Sequence, residues 1–124
     1  MSSRILAPIS VGELIDKITI LSIKLDHTSD TGKIQNITKE LDELSELLNL
    51  DTIIIRNLSL ELKCINEIIW QIEDEIRIKE KSKLFDQEFI DLARSVYIYN
   101  DKRAVVKRQI NELTNSHIVE EKIY

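Results

Sequence analysis

Residues 55–76, IRNLSLELKCINEIIWQIEDEI, decide the fold. Ile55, Leu58, Leu62, Ile65, Ile69, Ile72 and Ile76 alternate three and four apart without a break, which sets all of them on one narrow stripe of an α-helix. A second seam follows through Phe85, Phe89, Leu92, Val96 and Tyr99, then Val106, Ile110 and Leu113, with the charged Arg103 at one of its positions. Long amphipathic helices draw most of their stability from packing the apolar face. The two seams therefore bury against each other or against a partner, and the fold class is all-α.

Reading outward from that stretch, Ser10 and Glu13 spell a capping box, in which the serine hydroxyl accepts from the Glu13 amide and the glutamate reaches back to the serine amide. A helix is predicted over about 10–27. Val11, Leu14, Ile18, Leu21 and Leu25 form its seam, and Ile15, Ile20 and Ile23 widen the apolar arc almost all round. So apolar a helix is central and touches neighbours on more than one side. Asp30 caps a second helix over 31–48, whose seam of Ile34, Ile37, Leu41, Leu44 and Leu48 is flanked by polar faces, so it lies outside. Asp51 is expected to cap the third helix, 52–81. A short turn at 84–86 leads to the fourth, 86–115, which forces a long antiparallel hairpin. Residues 117–124 are too few for a helix of their own, and Ile118, Val119, Ile123 and Tyr124 suggest a docked tail. The chain reads as one helical domain, 1–124, with bundle or coiled-coil-like packing.

The 124 residues include two glycines and one proline, far below ordinary usage, which disfavours sheets and glycine-rich nucleotide loops. A net charge of −5 disfavours nucleic acid as a partner, since phosphates need a basic surface. The lone Cys64 rules out an intramolecular disulfide and a cysteine metal site, and its place in an apolar helix suggests a buried, inert thiol. No signal-like start or membrane-length apolar run is present, so the expectation is a cytoplasmic protein without membrane association. Helix three carries a second apolar set, Ile53, Leu60, Cys64 and Ile68, that four helices cannot obviously cover. A homodimer is therefore predicted, and a further protein partner is the additional expectation.

Candidate chemistry is sparse. His27 and His117 have no second ligand at helical metal spacing, and the adjacent carboxylates of Glu73–Asp74–Glu75 and Glu120–Glu121 diverge around their helices. Neither metal nor cofactor is expected. Glu43-Leu44-Ser45-Glu46 offers the first half of the E-x-x-E…E-x-x-D pattern of the all-helical nucleotide pyrophosphatases, and the second half is missing. Arg103 is the sharpest anomaly, because a charge within a core seam is costly unless paired. The commoner arrangement is a packed stem with the guanidinium reaching the edge. The others are an anion site, or a buried pair with Asp74, Asp101 or Asp16. Arg94, Tyr97, Asp101 and Arg108 line the far side of helix four, Trp70, Glu73 and Arg77 form a mixed line on helix three, and Lys17 stands beside Glu13 on helix one. With Arg103 these make the candidate polar, anion or interface site. Ordinary solvated i,i+4 pairing is the favoured account of these faces.

The run Ile9-Ser10-Val11-Gly12-Glu13-Leu14-Ile15-Asp16-Lys17-Ile18 is one of three distinctive blocks. The second is Asn66-Glu67 through Trp70-Gln71-Ile72-Glu73-Asp74. The third, Leu92-Ala93-Arg94-Ser95-Val96-Tyr97, continues through Asn100-Asp101 and Lys107-Arg108. Together they resemble a family of short, uncharacterised all-helical proteins, a domain of unknown function, from bacteria and their phages. That resemblance transfers no catalytic residue, and the family's tendency to accompany surface-sugar or glycosyl-transfer genes implies at most a helper role. A looser likeness to the helical chorismate mutases would require Lys17, Lys24, Arg77 and Arg103 to converge on a dicarboxylate. The preferred reading is a non-catalytic helical interaction or assembly module. The alternative is a small-molecule enzyme or anion binder with a polar site between helices.

Overall fold

The structure, a computed structural model, describes residues 2–124 and contains four helices: α1 (Val11–Asp26), α2 (Thr31–Leu47), α3 (Ile53–Lys81) and α4 (Gln87–Leu113), with no strand among the described residues. Each helix starts at a side-chain cap. Ser10, Asp30, Thr52 and Asp86 accept from the amides of Glu13, Lys33, Ile55 and Phe89. Thr52 takes the place expected of Asp51, whose carboxylate pairs instead with Arg56 at 2.6 Å. That hydrogen bond, and secondly the Arg56 charge, hold the Asp51 carboxyl below its ordinary range. The Phe89 amide, followed by Lys79, does the same for Asp86.

The two long helices end in the same way, without glycine. Lys83 and Asn115 adopt φ of 54° and 51°. The following amides of Leu84 and Ser116 return to the carbonyls of Lys79 and Asn111 at 3.0 and 2.9 Å, closing Schellman motifs. The first of these turns the chain back at once, so α3 and α4 form the antiparallel hairpin that makes the most extensive helix pair in the fold. α1 lies against both arms of the hairpin, and α2 rests on α1. α2 buries none of its residues, in keeping with its outer place.

Ile15 of α1, Ile55, Leu62 and Ile65 of α3, and Val106 and Ile110 of α4 make the core, with Val11, Leu58, Ile69 and Tyr99 packed around them. Burial is graded along the hairpin. On α3 it ends at Ile72, and on α4 it begins at Val106. The 16-residue α1 is about 24 Å long and the 29-residue α3 about 44 Å, so the hairpin outruns the helix that covers it. Nearer the turn the seam is closed by two helices alone, and Phe85 and Phe89 stack edge-to-face with centroids 5.1 Å apart. Cys64 is exposed, contrary to the buried thiol expected. Two residues beyond the fully buried Leu62, it falls on the opposite face of α3, beside the exposed Ile53, Leu60 and Ile68.

The two faces of α3 answer differently to truncation. Leu62→Ala should lower the unfolding free energy by ~2–5 kcal/mol, and Leu60→Ala, on the outer face, by less than about 0.5 kcal/mol. Urea titrations of both variants at a concentration where the chain is monomeric check the assignment.

Candidate functional site

The polar residues that matter lie where α1 crosses the hairpin. Asp16 is wholly buried. The Arg103 guanidinium grips its carboxylate with two donors, Nε to Oδ1 at 2.9 Å and Nη2 to Oδ2. Asn66 Nδ2 donates to Asp16 Oδ1 and to Thr19 Oγ1, both at 2.9 Å, and the Thr19 hydroxyl donates to the Asp16 carbonyl at 2.8 Å. Both carboxylate oxygens of Asp16 are used, as a buried carboxylate requires. The hydrogen bonds to Asp16 raise the Arg103 pKa further, against the opposing effect of burial. Arg103 pairs with Asp16, one of the three carboxylates open to it from sequence. The carboxylate is wholly buried while the arginine side chain is 28% exposed, so the guanidinium both meets a buried charge and reaches the edge.

The amino-terminal turn of α1 is held with equal economy. The Gly12 amide donates to Asn111 Oδ1 at 2.7 Å, the Val11 amide to Ser116 Oγ at 3.1 Å, and the Glu13 amide to Ser10 Oγ at 3.0 Å. Amides that would otherwise attract an anion to a helix start are thus occupied by the fold itself. Glycine is needed here for closeness. A Cβ at position 12 would sit 2.6 Å from the Lys107 carbonyl oxygen and 2.9 Å from Asn111 Oδ1. Glu13 does not complete the capping box, because its carboxylate turns to Lys107 and lies 3.7 Å from Lys17.

Charges also fasten the tail. Glu120 accepts from the Ser10 hydroxyl and lies 3.6 Å from Lys107 Nζ. Glu121 accepts from Arg108 at 3.0 Å, and Lys122 reaches Asp101 at 3.2 Å. The bond to Glu121, then that to Glu112, raises the Arg108 pKa. Docking therefore runs through Glu120, Glu121 and Lys122, while Val119, Ile123 and Tyr124, expected to drive it, remain exposed. Tail and α4 enclose an open groove of about 880 Å³. The cations along it, Arg103, Lys107, Arg108 and Lys122, already face carboxylates.

The remaining candidates separate. Lys17 and Arg103 meet neighbouring carboxylates of α1, whereas Arg77 pairs with Glu73 at 3.9 Å on the part of α3 beyond α1. Arg77 stands eleven residues, about 16 Å of helix, from Asn66. Trp70 stacks on His27 with ring centroids 4.6 Å apart, which ties the end of α1 to α3. Arg94 and Tyr97 lie exposed on the outer face of α4. Lys17, Arg77 and Arg103 do not converge on one point. Among the described residues no three His, Cys, Asp or Glu side chains group to hold a metal ion. Asn111, which the spacing on helix four groups with Arg94, Tyr97, Asp101 and Arg108, turns inward instead, and Asn66, Thr19 and Ser116 are participants outside the candidate set. Their only signal is a polar side chain at the margin of an apolar seam or helix end.

The architecture is that of an all-α protein in which a short helix is pinned across a long hairpin by buried ionic and amide contacts. The chain belongs to a family of unknown function, DUF6165, whose model matches residues 5–124. No curated protein and no solved structure matches it.

Two predictions follow from the crossing. Arg103→Ala and Arg103→Leu should each destabilise by ~3–5 kcal/mol, because either strands the Asp16 carboxylate. Adding Asp16→Asn, which keeps an acceptor for Asn66, should recover at least half of that loss in chemical denaturation. Gly12→Ala should cost ~1–3 kcal/mol through overpacking against α4, seen as a lower midpoint with unchanged helical content in circular dichroism.

Proposed function

We propose that the protein is a non-catalytic helical interaction module. The observation that carries this reading is the outer face of α3, where Ile53, Leu60 and Ile78 are 72%, 62% and 64% exposed along one stripe opposite the buried seam. Apolar side chains lined up on a rigid helix face are a feature of surfaces that bind other proteins. The polar groups favour the same reading. An anion-binding or catalytic site needs uncommitted cations or amides converging on a ligand, and Arg103, Lys107, Lys17 and the first amides of α1 are each spent within the fold. No helix is long and apolar enough to cross a membrane, so a lipid-embedded role for the stripe finds no support in the helices.

Thermal melts in a series of phosphate and small dicarboxylate concentrations test this. The midpoint should show no saturable shift with either. A saturable upward shift at millimolar anion would replace the module with a binder whose site lies between the helices.

A further inference from the structure

We infer that the partner of the outer α3 face is a second copy of this chain, docked antiparallel about a two-fold axis at the level of residue 65. The inference rests on the interaction-module reading and adds to it a partner, an orientation and a register.

The argument comes from charge placement. Along one flank of the exposed stripe stand Arg56, Lys63, Glu67 and Asp74, so the sign changes midway along the helix, and Lys81, in its last turn, falls past the start of a partner's α3 docked antiparallel. Arg56 and Asp74 lie nine residues either side of position 65, and Lys63 and Glu67 two either side. When two such helices pack antiparallel about a perpendicular two-fold axis, each flank faces the same flank of its partner in reverse. Arg56, exposed and bonded to Asp51 of its own chain, then gains Asp74 as a second acidic neighbour, and Lys63 meets Glu67, each pair occurring twice. The apolar residues at the two ends of the stripe follow the same rule. Ile53 is twelve residues before the axis and Ile78 thirteen after, so the exposed side chains at the ends of the stripe cover one another.

Parallel packing would turn this flank toward the opposite flank of the partner, and these reciprocal pairs would not form. The outer face of α4 offers no equal alternative. The tail is fastened along it to Asp101 and Arg108. A self-complementary stripe is also what an isologous two-fold contact demands. Antiparallel docking sets the half-buried end of each hairpin beside the start of the other chain's α3, the part of the fold with least cover of its own.

Cys64 reports on this geometry. One residue from the axis, it would face its counterpart with the two Cα atoms offset by about 3 Å along the helices, within the separation a disulfide spans. Sedimentation measurements on the full chain should show a reversible dimer, and mild oxidation with diamide should trap it as a covalent species that Cys64→Ser abolishes. Arg56→Asp should weaken the dimer about tenfold at low salt, since the reversed pair occurs twice, and Arg56→Asp with Asp74→Arg should restore it. Leu60→Lys should leave a monomer with unchanged helical content. A chain that remains monomeric into the millimolar range overturns the dimer. So does a dimer whose Arg56→Asp defect Asp74→Arg does not repair. Neither result touches the module reading, which fails only on saturable anion stabilisation.

Discussion

The fold turns on one carboxylate that cannot reach water. Asp16 lies on the inward side of α1 with no solvent exposure, and an unpaired charge there would be expensive enough to expel the helix from the hairpin. Arg103 and Asn66 remove that cost from opposite arms of the hairpin, so the network fixes which residues of α3 and α4 stand level with each other and with α1. Apolar contact alone would be less selective. The isoleucine-rich face of α1 could slide a turn along the hairpin with little loss of burial, but a slid helix would part Asp16 from both partners. Buried polar groups of this kind are attested as setters of register in helical assemblies.

Much of this architecture was legible in the sequence because it depends on periodicity. The alternation of Ile55 through Ile76 reports a helical stripe whatever surrounds it, and serine, aspartate or threonine immediately before an apolar run marks a helix start by local chemistry. What depends on which helix meets which was less legible. Arg103 was conspicuous as a charge within a seam, yet Asp16, Asp74 and Asp101 were equal candidates to face it, since spacing within a helix says nothing of contacts between helices. Cys64 was misplaced by treating an apolar helix as apolar on every side, when a two-residue offset from Leu62 puts the thiol on the far face.

The candidate site was legible only in part. The sequence named Arg103 and Lys17, and the structure seats both on neighbouring acidic residues of α1. It grouped them with Arg77 and Trp70, which serve other ends of the molecule. Gly12 stood in plain view as one of two glycines in the chain. Its role is the closeness of α1 to the Lys107 carbonyl, a distance that no one-dimensional pattern encodes.

The contacts that finish the first turn of α1 span almost the whole chain: Ser10 to Glu120, Val11 to Ser116 and Gly12 to Asn111. During synthesis the helix nearest the amino terminus emerges first, yet the side chains that satisfy its leading amides emerge about a hundred residues later. Until then α1 is an apolar, partly capped segment with no hairpin to lie across. Assembly of this protein is therefore a late event on the ribosome. α1, with only α2 beside it, must wait for α3 and α4 to form and close over it.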